Sequence, residues 1–165
     1  MDNAQENIKR KEVESMFDSI AWKYDFLNHF LSFGTDRSWR RKAIKVIGKT
    51  HKPSYILDVA TGTGDLAIAS LKLNPLKVSG IDISENMLAI GNKKIRKAGL
   101  SDRIELYRGD SESISFPDNS FDTAMVAFGV RNFSNPLAGC VQQAHPCPAG
   151  GVVGGAGFEP AAFWV

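Results

Sequence analysis

Apolar positions along the chain change their spacing near residue 55. Before it, Val13, Met16, Phe17, Ile20, Tyr24 and Leu27 recur at helical intervals on one face, and Phe30, Leu31 and Phe33 extend the apolar content to a break at Gly34. The spacing predicts one or two amphipathic helices. Such a face either packs on the domain or also lines a substrate pocket or meets a bilayer surface. A further helix is expected over residues 37–47, with Asp36 as its cap and Gly48 near its end, and Pro53 closes the connection that follows. Residues 55–60 then form a short β-branched and aromatic run, Gly62 and Gly64 supply a tight turn, and Leu66-Ala67-Ile68-Ala69 begins a helical pattern. That helix, residues 65–73, stops at Asn74-Pro75, and residues 78–83 read as a second buried strand. Ser84 opens the next helix, whose apolar positions are Met87, Leu88, Ile90, Ile95 and Ala98 and whose end is Gly99. A third strand spans residues 104–108, a turn 117–120, and a fourth strand 121–128. Four strands alternating with helices specify an α/β fold, a doubly wound Rossmann-like parallel sheet.

In such a sheet ligands bind beyond the carboxyl ends of the strands, and glycines there let a ligand approach the backbone. The loop after the first strand therefore leads to a nucleotide-like cofactor. Gly62-Thr63-Gly64-Asp65-Leu66-Ala67 fits the dinucleotide fingerprint, so NAD is one reading. Asp58 and Asp65 favour another. Two carboxylates flanking the loop repel a pyrophosphate and attract the ammonium and sulfonium of S-adenosylmethionine, whose carboxylate would meet N–H groups at the helix start. Asp82, at the end of the second strand, stands where an acidic residue accepts from both ribose hydroxyls of a bound nucleoside, or alternatively serves the helix that follows. Asp110, after the third strand, is either an acceptor for an adenine amino group or a turn carboxylate.

Length and composition narrow the remaining classes. At 165 residues and 43% hydrophobic content the chain supports one domain with a real core. A net charge of +2 with no long Lys/Arg cluster gives no nucleic-acid track. The polar N-terminus has no apolar leader, and no apolar run approaches the ~20 residues of a membrane helix, so a cytoplasmic chain is expected. Cys140 and Cys147 with His145 between them lack a second ligand pair, so no metal site is expected.

Several segments together resemble a known family, the UbiE/MenG class of ubiquinone and menaquinone C-methyltransferases. They are the loop from Asp58 to Asp65, Gly80-Ile-Asp-Ile-Ser84, Phe116-Pro-Asp-Asn-Ser-Phe-Asp122 and Phe128-Gly-Val-Arg-Asn132, with Phe17 to Asn28, Leu31-Ser-Phe-Gly34 and Trp39-Arg40 in the N-terminal part. The likeness covers roughly residues 12–136. It departs from the family pattern where Leu27 replaces Met and Asp36 replaces His, both on the substrate side, and where Ala127 replaces a small polar residue near the cofactor. The resemblance implies a class I methyltransferase fold and transfer of a methyl group from S-adenosylmethionine to a ring carbon of a prenylated quinol, with possible peripheral contact at the inner face of the membrane. It implies cofactor contacts at Thr63, Asp82, Asp110 and Ser111, beside Asp58, Gly62 and Gly64, which the loop itself marks as cofactor-binding candidates. Arg131 is implied as the group that stabilises a developing phenolate, its alternative being a surface salt bridge. No general base and no oligomeric state follow from the sequence.

The segments divide as residues 1–50, an N-terminal helical part, residues 51–136, the cofactor-binding core, and residues 137–165, an atypical tail. The tail holds six Gly, six Ala, three Pro and a single charged residue, Glu159, whereas the rest of the chain holds every Lys and Arg. Such a shift leads to three expectations: the family's C-terminal strands are missing, the fourth strand presents an unpaired hydrophobic edge, and the tail stems from a frame shift or truncated gene. Pro146, Pro148 and Pro160 and the Gly-rich run make the tail a poor replacement strand. A chain of this kind is expected to be inactive or weakly active, leaving a non-catalytic nucleoside-binding fragment as the alternative to an enzyme.

Overall fold

A computed structural model describes residue 15 and residues 35–110, 113–127, 152–154 and 161–164. Ser15 is helical, and the apolar face expected before Gly34 lies outside the described residues. Helix α1 runs Thr35–Thr50 and leads to strand β1, Tyr55–Val59. After the glycine loop comes α2, Asp65–Ser70, tightened into a 3-10 turn at Leu71–Leu73. Strand β2 is Lys77–Asp82, α3 is Glu85–Lys97, β3 is Ile104–Arg108 and β4 is Thr123–Ala127. Two short strands complete the sheet, β5 at Val152–Gly154 and β6 at Ala161–Trp164.

The strand order is β3-β2-β1-β4-β6-β5. β1 lies at the centre of the parallel part, with Ile56 beside Val78 on one side and Thr123 on the other. Alternation of side chains along each strand then assigns the two faces. Ile56, Val78, Ile104 and Met125 meet Ala43, Ile44 and Ile47 of α1, Leu66 and Ala67 of α2 and Ile95 of α3 in one cluster. Leu57, Val59, Ile81, Ala124 and Val126 form the other, with Phe121 and the partly buried Ile114 and Phe116. The three helices α1, α2 and α3 therefore cover a single face, and β1 is sealed on both, as a central parallel strand must be.

Several local expectations change. α1 begins at Thr35, so Asp36 stands inside its first turn rather than capping it. The fourth strand begins at Thr123, with Phe121 packed beneath it as a plug. Ala98 is exposed at the C-cap of α3, and Gly91 joins Met87, Leu88 and Ile95 as the buried positions of that helix. Gly99 does end the helix in a left-handed conformation, φ 67°.

The edge of β4 is also corrected. β6 pairs with it antiparallel, Ala124 opposite Trp164 through Ala127 opposite Ala161, and β5 pairs with β6. Neither added strand contains a proline. Ala161-Ala-Phe-Trp164 is four consecutive residues with a full set of amides, enough for a short ladder.

Candidate functional site

β1 ends at Val59, and the next five residues turn the chain into α2. Ala60, Gly62 and Gly64 take positive φ values of 54°, 56° and 77°, so three left-handed residues fall within five positions. Glycine accepts that conformation at little cost, while Ala60 is strained by its β carbon. Strain of this kind survives only where surrounding bonds fix it. Here Thr61 N–H donates to the Ile81 carbonyl at 2.9 Å and Gly64 N–H to the Thr61 carbonyl at 3.0 Å. Gly62 N–H donates to Asp82 Oδ2 at 2.7 Å. A β carbon on Gly62 would meet nothing within 4 Å, so the loop faces open space there.

Asp82 thus has a structural duty beside any ligand. Its Oδ1 accepts from Ser84 N–H at 2.9 Å, and Ser84 Oγ in turn accepts from Met87 N–H at the start of α3. Amide bonds of this kind do not by themselves conflict with the ribose reading of Asp82, because a carboxylate has about four lone-pair sites. Gly109 N–H donates to the Asp82 carbonyl at 3.0 Å, which brings the start of the Asp110 turn beside the end of β2. Asp110 itself accepts through its carbonyl from Ser113 N–H at 3.1 Å. Ser111 and Arg131 lie outside the described residues, as do Cys140, His145 and Cys147.

Asp58 lies on the helix-covered face of β1, only 1% exposed. Thr61 Oγ1 donates to its Oδ2 at 2.6 Å. Burial pushes its pKa up to about 7, and the Asp82 and Asp65 carboxylates push the same way, against the bonds from Thr61 and the Ala67 amide. Asp65, by contrast, is half-exposed and pairs with two cations, Arg40 of α1 at 3.2 Å and Lys94 of α3 at 3.1 Å. The expectation that both carboxylates present a standing negative charge is therefore corrected. One is buried and titrates near neutrality, and the other is offset.

Lys94 also donates to Thr63 Oγ1 at 2.9 Å, and Thr63 is buried. Sequence reasoning passed over Lys94 and gave Arg40 and Thr61 no role of their own. The readable sign was Gly91 inside a helical pattern, since an isolated helix glycine marks a close approach, and Lys94 three residues on shares its face. A β carbon at Gly91 would come within 3.0 Å of the Thr63 carbonyl oxygen and 2.6 Å of Leu106 Cδ1.

The geometry assembles Asp58, Asp82 and Asp110 at the carboxyl ends of three adjacent strands, around a glycine loop facing open space. Comparison with known proteins agrees with a shared scaffold. The ubiE/COQ5 methyltransferase family matches over residues 5–153. The chain belongs to that family.

Among relatives, the demethylmenaquinone methyltransferase of Bacteroides fragilis is 51% identical over 87% of this chain and 58% of its own length. The ubiquinone/menaquinone biosynthesis C-methyltransferase UbiE of Geotalea daltonii is 44% identical over 88% of this chain and 62% of its own. The chain thus spans little more than half the length of these relatives. A crystal structure of a SAM-dependent methyltransferase from Aquifex aeolicus superposes with a TM-score of 0.55 at 29% identity, covering 62% of this chain and 57% of that one. The α/β Rossmann-like fold expected from the alternation of strands and helices, and the class I methyltransferase fold implied by the family resemblance, are therefore borne out. Among the described residues no helix is long and apolar enough to cross a membrane, and no group of three His, Cys, Asp or Glu is arranged to hold a metal ion.

Proposed function

We propose that the chain binds S-adenosylmethionine at the carboxyl ends of β1, β2 and β3, and that the complete family scaffold methylates a ring carbon of a prenylated quinol. The observation that carries this reading is the 51% identity, over 87% of this chain, to a protein named demethylmenaquinone methyltransferase. The residues fit the cofactor: Gly62 leaves room at the loop, Gly64 lets the chain turn in a left-handed conformation against Leu106 and Gly91, and Thr63, Asp82 and Asp110 are proposed as polar contacts to the amino-acid, ribose and adenine parts, with Ser111 next in the chain after the last. Asp58, under the loop, gains charge as pH rises through about 7 and then favours a cationic ligand. When bound, the cofactor supplies an electrophilic methyl group on a sulfonium. The protein's share is to hold the loop and orient the quinol. A quinol carbon becomes nucleophilic as its neighbouring hydroxyl loses a proton, and Arg131 is proposed to stabilise the phenolate so formed. A quinone has no such proton.

A prenylated substrate lives in the bilayer, so the proposal includes transient contact with the membrane surface. Dinucleotide binding has no support from the relatives, whose names are those of methyltransferases.

Two measurements test the reading in sequence. Calorimetry with S-adenosylmethionine and NAD side by side is expected to give binding of the first only, and tighter NAD binding would overturn it. Methyl transfer to demethylmenaquinol by the complete family scaffold, followed by mass, is expected with the reduced ring and not the oxidised one. Equal transfer to both would exclude the phenolate mechanism.

A further inference from the structure

Lys94 reaches the glycine loop from a helix face that Gly91 keeps bare. With its β carbon absent, Gly91 lets the backbone of α3 lie against the Thr63 carbonyl. One turn further along, the Lys94 ammonium donates to Thr63 Oγ1 at 2.9 Å and to Asp65 Oδ1 at 3.1 Å. Arg40 from α1 meets the second oxygen of Asp65 at 3.2 Å. A single carboxylate at the first residue of α2 is therefore shared by cations from two other helices, and one of those cations has a second bond into the loop. The Arg40 and Lys94 side chains are 13% and 29% exposed, so these bonds are partly withdrawn from solvent and persist better than a surface pair.

We propose that Lys94 is a positioning residue for S-adenosylmethionine, acting through Thr63 and Asp65 to hold the glycine loop in its ligand-binding shape. The inference rests on the cofactor reading above. An ammonium group only donates, so Thr63 Oγ1 is the acceptor in that bond and the hydroxyl's own hydrogen points away from the lysine. That sets the rotor of a buried hydroxyl and with it the side-chain conformation of Thr63 inside the loop. Lys94 and Arg40 together also offset Asp65, which removes a like charge from the approach of that carboxylate. The same two bonds tie α3 to the loop across a stretch in which Ala60 is strained, so loop shape depends on them more than in an unstrained turn.

The test measures S-adenosylhomocysteine affinity by calorimetry for the full chain carrying Lys94→Met, Lys94→Arg, Thr63→Val, and Lys94→Met with Thr63→Val, with a thermal melt of each. Lys94→Met is expected to weaken binding about tenfold or more, the scale of one hydrogen bond to a charged group. Lys94→Arg is expected to restore most of that loss, and in the Thr63→Val background Lys94→Met is expected to cost much less, because its route to the ligand is already cut. Wild-type affinity in Lys94→Met, no rescue by Lys94→Arg, or fully additive losses in the double variant would each overturn the proposal. Should Lys94→Met fail to melt cooperatively, Lys94→Gln, which keeps a donor without the charge, carries the same comparison. Absence of binding by the wild-type chain would instead overturn the cofactor reading itself, a distinct result.

Discussion

Asp58 carries the sharpest pH dependence in the core. Its pKa rises from 3.8 to about 7 in the folded chain, chiefly through burial. The folded protein thus keeps a proton that the unfolded chain releases. The stability this provides is fully present below the unfolded value and is lost as pH rises to the folded one, on the order of 4 kcal/mol across that window. Asp58→Asn, a fixed mimic of the protonated form, is expected to flatten this slope. Urea unfolding at about pH 5 and about pH 8, taken as a difference between wild type and variant, checks it, because Glu105, whose pKa is lowered by its bonds to Lys77 and Tyr107, contributes equally to both. Cofactor affinity should move the other way and rise through about pH 7 as Asp58 gains charge. A flat affinity profile would remove Asp58 from ligand recognition. At Asp82, substitution by Ala removes the acceptor for Gly62 N–H and Ser84 N–H as well as any ribose contact. Ligand binding is expected to weaken by about 1.5–3 kcal/mol or more. Calorimetry showing unchanged affinity would leave Asp82 as a strand-end residue with a purely structural duty.

At the scale of elements, α1 and α3 fix the site by packing as well as by charge. Ile47 is fully buried between α1 and the sheet, so Ile47→Ala is expected to cost about 2–5 kcal/mol in urea unfolding and to loosen the helix that brings Arg40 to Asp65. Gly91→Ala has the opposite origin. The added methyl meets Leu106, which can turn aside, and the Thr63 backbone, which cannot move without disturbing the loop. Overpacking of this kind typically costs about 1–3 kcal/mol, and here it should also lower cofactor affinity. A variant with wild-type stability and affinity would show that α3 can shift without consequence. The helix interior gave the clue and the contact gave its meaning: a glycine at position 91 reads only as an anomaly until Thr63 is seen against it.

At the scale of the whole molecule, the question is what covers β4. Ala124 to Ala127 of that strand are all apolar, and an uncovered strand of that kind aggregates or frays. In the structure β6 and β5 occupy that edge. A chain ending before β5 is therefore expected to melt less cooperatively and to scatter light at micromolar concentration, and a melt identical to that of the full chain would show that the two strands are dispensable. The parallel strands, the loop and Ser84 as a cap were legible in the sequence because each depends on neighbours a few positions away: alternation, glycines at a turn, a hydroxyl three residues before an amide. Asp58, Gly62, Gly64, Asp82 and Asp110 were legible as candidates for the same reason, since they cluster at strand ends that periodicity locates, while Thr63 was implied by the family resemblance. What only the tertiary structure decided was which charges stand uncompensated and which edges stand open. Asp65 meets Arg40 and Lys94, Asp58 sinks beneath α2, and Ala161 to Trp164 pairs with β4. Each of these joins residues far apart in the chain, and burial and pairing of that kind are set by how the helices and strands pack, which no local pattern of residues encodes.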